Sequence, residues 1–141
     1  METRLAETIK HASALDAATR DWLMAELRFP VMATIRRDGM PSQSVIWFDL
    51  DPDRDDVVIL NTRSGRLKHK HLLRDPRVSL CFEDGNDYIT VEGRAELDDD
   101  PVRGLQVIQD LARRYEDEPR DFEGQHRVTI ELRVEKVIRH D

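Results

Sequence analysis

The chain has 141 residues and a net charge of −7, with 36% of its residues charged and 39% apolar. That length suits one domain spanning residues 1–141, and the modest apolar share favours burying further surface in an oligomer. The acidic balance argues against general nucleic-acid binding, and the single Cys81 excludes an internal disulfide. No Cys/His set has zinc spacing, no run approaches membrane-spanning length, and the N-terminus has no leader-like apolar region. A reducing cytoplasm, with no membrane or nucleic-acid partner, is the expected setting.

The segment from Ala14 to Leu27 predicts a helix, with Leu15, Ala18, Trp22 and Ala25 at three-to-four spacing and Ser13 or Asp16 as cap. Phe29-Pro30 ends it, because the residue before proline is pushed out of the helical region. Val31–Ile35 reads as a strand, and Arg37-Asp38-Gly39-Met40 as a hairpin turn. The returning strand is expected from Pro41 to Leu50. Its centre, Val45-Ile46-Trp47-Phe48, does not alternate, so both faces should meet apolar surroundings. After the acidic turn Asp51–Asp56, Val57–Thr62 is the third strand.

Gly65–Arg74 then predicts a short helix with Leu67, Leu72 and Leu73 toward the core, stopped by Asp75-Pro76. Arg77–Glu83 and Tyr88–Leu97 are the next strands, joined by the turn Asp84–Asp87. A helix follows from Pro101 to about Tyr115, capped by Asp98 or Asp99 and burying Val102, Leu105, Ile108, Leu111 and Ala112. A polar loop, Glu116–Gln125, leads to a last alternating strand, His126–His140. Strands joined by hairpins, with no recurrent strand–helix–strand unit, imply an antiparallel barrel-like sheet of six strands with three helices outside it.

The chemistry concentrates in Asn61-Thr62-Arg63-Ser64-Gly65-Arg66-Leu67-Lys68-His69-Lys70. From Arg63 to Arg77 six Lys or Arg face one acid, Asp75, so this stretch carries +5 and the rest of the chain −12. Strand, hydroxyl-and-glycine turn and basic helix start together offer N–H groups, a hydroxyl and cations to a phosphate. The blander alternative is a solvated basic surface, or a docking site for an acidic partner. Cations at a helix N-terminus oppose the helix dipole, which an anion would relieve. His69 and His71 stand two apart and cannot share a metal on a helix. Cys81 reads as a small buried strand residue. No Gly-x-Ser-x-Gly elbow or other hydrolytic set is present, and no side chain is assigned as a catalytic acid or base. An anion site beside an aromatic strand, without a protein catalyst, suits an enzyme whose cofactor does the chemistry.

Five segments in register carry a resemblance to a known family. They are Arg36-Arg37-Asp38-Gly39-Met40-Pro41; Ser44–Phe48; Thr62, Gly65, Arg66, Lys68, Lys70 and Leu72; Arg74–Val78; and Val91–Glu96. Together they resemble the pyridoxamine 5'-phosphate oxidase-like split β-barrel family, and within it the small flavin/deazaflavin oxidoreductases. The chain departs from the pattern at Val45, where proline is usual, and at His71, where asparagine is usual.

The resemblance implies a mainly β, FMN-binding type split barrel with peripheral helices. It also implies a homodimer with cofactor sites at the subunit interface, the second subunit completing the ring pocket. By that likeness Thr62, Ser64, Arg66 and Lys68 would hold the cofactor phosphate. Asn61 and the strand Ser44, Val45, Ile46, Trp47 would lie along the ring, and Lys70 would reach a longer anionic tail. The cofactor would be coenzyme F-420, a deazaflavin, or FMN, with the Gly-Arg-x-Lys pattern leaning to the former. The reaction would be hydride transfer to or from a small unsaturated substrate. True pyridoxamine-phosphate oxidases carry basic residues on the second strand and a C-terminal substrate-binding extension. Gln43–Phe48 has no Arg or Lys, so vitamin B6 oxidation is not expected. The alternatives are an FMN-binding relative of those oxidases and a non-catalytic flavin or deazaflavin carrier.

Overall fold

Gly39 adopts the left-handed backbone (φ 88°) that the Asp-Gly pair calls for, and Asp38 accepts the Met40 N–H at 3.0 Å. This turn pairs β1 (Val31–Ile35) with β2 (Pro41–Val45), in the register Val31↔Val45 to Ile35↔Pro41. The computed structural model describes residues 14–139. The proposed cap Ser13 and the strand end at His140 lie outside the described residues.

The strand expected to run unbroken from Pro41 to Leu50 is two strands. β2 stops at Val45, residues 46–48 leave the ladder, and β3 (Asp49–Leu50) pairs with β4 (Val57–Arg63). The complete sheet is antiparallel, in the order β2-β1-β5-β6-β7-β4-β3. Here β5 is Arg77–Glu83, β6 is Tyr88–Asp98 and β7 is Arg127–Arg139. Among the described residues the strands therefore number seven, not six, and hydrogen bonds do not close the sheet. β2 and β3 form its opposite edges, yet only residues 46–48 separate them. Four Cα steps span at most about 14 Å, so the sheet curls until its edges nearly meet. Ile46 and Phe48 drop into the core at 7% and 0% exposure, while Val45 stays exposed. The apolar run is thus a strap across the split.

Curvature comes partly from a bulge on β7, where Glu135 is the extra residue opposite the Glu92/Gly93 step of β6, and a Cβ on Gly93 would overlap the Arg133 carbonyl. Inside lie Phe48, Phe82, Met32, Leu60, Leu80, Ile130 and Leu132, all fully buried.

Among the described residues, three helices pack around the sheet. α1 (Ala17–Met24) is shorter than expected. Asp16 caps it, accepting the Thr19 N–H at 2.8 Å. Its inward stripe is Leu15, Thr19 and Leu23, while Ala18 and Ala25 are exposed. The buried Arg28 donates to the Trp22 carbonyl through Nε and Nη2 and lies over the Trp22 ring, which satisfies the helix end early. α2 (Leu67–Arg74) buries Leu72, but Leu67 and Leu73 are exposed, against expectation. The inward place goes instead to His71, whose Nδ1 is 2.9 Å from Thr34 Oγ1 on β1. α3 (Pro101–Arg114) is capped by Asp100, not Asp98 or Asp99, and Val102 is exposed. The loop after α3 contains a 3-10 turn, Pro119–Phe122. α3 lies against β7 at Gly104, where a Cβ would overlap the Arg127 carbonyl. Cys81 on β5 is partly exposed, less buried than its strand position suggested.

Candidate functional site

The end of β4, the turn Ser64–Arg66, the start of α2, the strap and α3 surround a cavity of about 300 Å³. Seven of the residues singled out from the sequence line it: Val45, Ile46, Trp47, Asn61, Thr62, Arg66 and Lys68. Ser44, Ser64 and Lys70 do not. Ser44 is paired with Met32 on β2, the Ser64 N–H is bonded to the His126 carbonyl, and Lys70 is exposed on α2. The structure adds Arg63, Ile108, Leu111, Phe122 and Arg127 to the lining.

One end of the cavity is cationic. Gly65, at φ 84°, turns the chain from β4 into α2, and its N–H donates to His69 Nδ1 at 3.0 Å. His69 thereby holds the turn, as His71 pins the helix. Arg66 stands at the N-cap of α2 without a side-chain capping bond, and the helix has no acid in its first turn. Lys68 is half-buried. Burial, then Arg66 and Arg127, hold its pKa below the usual lysine value. Arg127 is pushed down to about 10 by burial and by the Arg66 and Arg63 charges. Every charge acting on these two groups is another cation. Elsewhere the pattern reverses: Arg54 pairs with Asp51 and Glu131, and Arg103 with Asp98 and Glu131. A chain with this excess of acid has left one cluster of cations uncompensated and partly desolvated, which is costly unless an anion completes it.

Arg127 is held in place. Its Nε donates to Asn61 Oδ1 at 2.9 Å, Nη1 donates to Gln125 Oε1 at 3.1 Å, and its guanidinium lies 5.4 Å from the Phe122 ring centroid. Asn61 is 4% exposed, and its Nδ2 donates to the Gly104 carbonyl at 2.9 Å. Both ends of its amide are therefore engaged by protein. The last strand reads as ordinary alternation, so Arg127 drew no attention in the sequence. Its register partner is Arg63, at the end of the basic stretch. That cross-strand pair of like charges is the signal that would have found it.

The other end is aromatic. Trp47 stacks on Tyr115 (centroids 5.2 Å apart, planes 11°) and meets Phe122 edge-on. The Tyr115 hydroxyl donates to the Arg28 carbonyl at 2.6 Å and accepts the Phe48 N–H at 3.2 Å. Burial raises its pKa above the usual tyrosine value. Arg114 Nη1 donates to the Phe48 carbonyl at 2.5 Å, and the Ile46 N–H reaches the Pro30 carbonyl at 3.0 Å. The strap is thus tied on both sides of Trp47, whose own backbone N–H has no partner among the described residues. Among the described residues the cavity lining holds no carboxylate, imidazole or thiol. Cations gather at one end of it and aromatic and aliphatic side chains at the other.

A family model described as pyridoxamine 5'-phosphate oxidase matches residues 15–141. Among solved structures, an F420 reductase is 25% identical with a TM-score of 0.70, covering 84% of this chain and 94% of that one. A conserved hypothetical protein from Mycobacterium tuberculosis superimposes with a TM-score of 0.67 at 21% identity, over 100% and 84% of the two chains. General stress protein 26 from Bacillus anthracis does so at 0.64 and 22%, over 84% and 88%. At these identities the last two speak for the fold alone. With the match running from Leu15 to the last residue and the split sheet described above, the chain belongs to the pyridoxamine 5'-phosphate oxidase family.

Proposed function

We propose that this protein is an oxidoreductase working with a phosphate-bearing flavin-type coenzyme, the deazaflavin F-420 or FMN, on a small unsaturated substrate. The observation that carries this reading is the pairing, in one cavity, of an uncompensated cation cluster with an aromatic strap. The F420 reductase among the similar structures supports the deazaflavin, and the family supports flavin chemistry in general. The residues present fit such a group. Lys68 and Arg66 supply charge-assisted donors for a phosphate, Thr62 a hydroxyl, and the uncapped start of α2 adds N–H groups. Val45, Ile46 and Trp47 offer an apolar edge and an unpartnered N–H for a ring.

When bound, such a coenzyme supplies the two-electron hydride carrier. The chain binds it, orients it through the strap and excludes water with Ile108, Leu111 and Phe122. Among the described lining residues no carboxylate or imidazole stands by to move a proton, and Lys68 is kept for the phosphate. The cavity opens beside an uncovered sheet face bearing Val31 and Val45, at 36% and 63% exposure. We take that face as consistent with a homodimer whose second subunit completes the pocket.

Lys68→Ala tests the reading. Losing one charge-assisted contact should weaken coenzyme binding about 10- to 100-fold while leaving the circular dichroism unchanged. Unchanged affinity would remove the phosphate assignment. The same lack of a proton donor also fits a non-catalytic carrier, which would bind the reduced coenzyme yet pass no electrons to any acceptor offered.

A further inference from the structure

We infer that Arg127 is a second anchoring cation for the ligand's phosphate, and that Asn61 is a positioning residue which acts on the ligand only through Arg127. The inference rests on the coenzyme reading for the ligand's identity, but its core is the geometry of an anion cradle. Asn61 was expected along the ring. Its amide is instead consumed, with Nδ2 on the Gly104 carbonyl and Oδ1 on Arg127 Nε, each at 2.9 Å, and it is 4% exposed.

Arg127 lines the cavity with Arg63, Arg66 and Lys68. Its Nε and Nη1 are spoken for by Asn61 and Gln125, while Nη2 donates to no protein group among the described residues. A guanidinium held through Nε and Nη1 with Nη2 left over is arranged to present its remaining donors to an oxyanion. Holding it there among like charges costs free energy, and a buried side chain dedicated to that task implies that the position is used. Asn61 suits the task because it must both donate and accept. Leucine would do neither, and aspartate would keep the acceptor but cancel the charge.

The experiment is a double-mutant cycle with Asn61→Leu, Arg127→Met and the two combined. The ligands are FMN against riboflavin, and F-420 against its phosphate-free chromophore. Each single variant is expected to weaken the phosphate-bearing ligand tenfold or more, with little change for its phosphate-free counterpart. The double variant should bind no more weakly than Arg127→Met alone. A merely structural Asn61 would lower the melting temperature while leaving the ratio of phosphate-bearing to phosphate-free affinity unchanged, and that would overturn the inference. So would an Asn61→Leu effect that persists in full in the Arg127→Met background. Should Asn61→Leu fail to fold, Asn61→Asp replaces it and is expected to lower the same ratio.

If no coenzyme binds the unaltered protein, the coenzyme reading fails separately. The cradle is then tested with inorganic pyrophosphate and melting temperature. Stabilisation that both single variants abolish supports the inference, and its absence in the unaltered protein, or its survival in Arg127→Met, overturns it.

Discussion

Lys68 carries the electrostatics of the cavity at the scale of one residue. Its ammonium is desolvated and faces Arg66 and Arg127, so protonation is harder in the folded protein than in the unfolded chain. As pH rises through the lowered folded pKa toward the ordinary lysine value, the unfolded chain holds more of this proton than the folded one. The penalty that charged Lys68 places on the fold is lifted over that window. A bound phosphate reverses the balance by favouring the ammonium. Ligand binding should therefore take up protons through Lys68 in the alkaline range and weaken there. Calorimetry in buffers of differing ionisation enthalpy would show the uptake, and Lys68→Arg should shift it to higher pH. Proton release on binding would contradict this account.

Among the elements, α3 organises the site from both ends. Near its start, the Gly104 carbonyl fixes Asn61, and the absence of a side chain there lets the helix lie on the Arg127 backbone. At its end, Arg114 and Tyr115 grip the strap at Phe48. Gly104→Ala would have to lift the helix away from β7. The expected cost is about 1–3 kcal/mol of stability, with a larger loss of coenzyme affinity than of helix content. Denaturant unfolding and ligand titration of the same variant would test this, and wild-type affinity in a destabilised Gly104→Ala protein would disprove the coupling.

Across the whole molecule, local signals were legible and swaps of partner were not. Asp38-Gly39 announces its hairpin, and the Asn61–Lys70 stretch announces a charge anomaly, because both are contained in short segments. The run Val45–Phe48 reads as one strand, because composition cannot tell that the chain leaves one sheet edge and joins the other. Only the edge order explains why Ile46 and Phe48 are both buried. Arg127 lies far along the chain from the basic stretch, and register alone brings it beside Arg63. Asn61 lines the cavity, but its amide serves α3 and Arg127. The spacing of His69 and His71 speaks only against a shared metal, and the structure gives them other tasks: His71 is buried against Thr34 and His69 holds the Gly65 turn.

The measurement that bears most directly on the central claim is a titration of the purified protein with F-420 and with FMN, followed by coenzyme fluorescence. The account predicts saturable binding of at least one of them at micromolar concentration. A flat titration with both would contradict it.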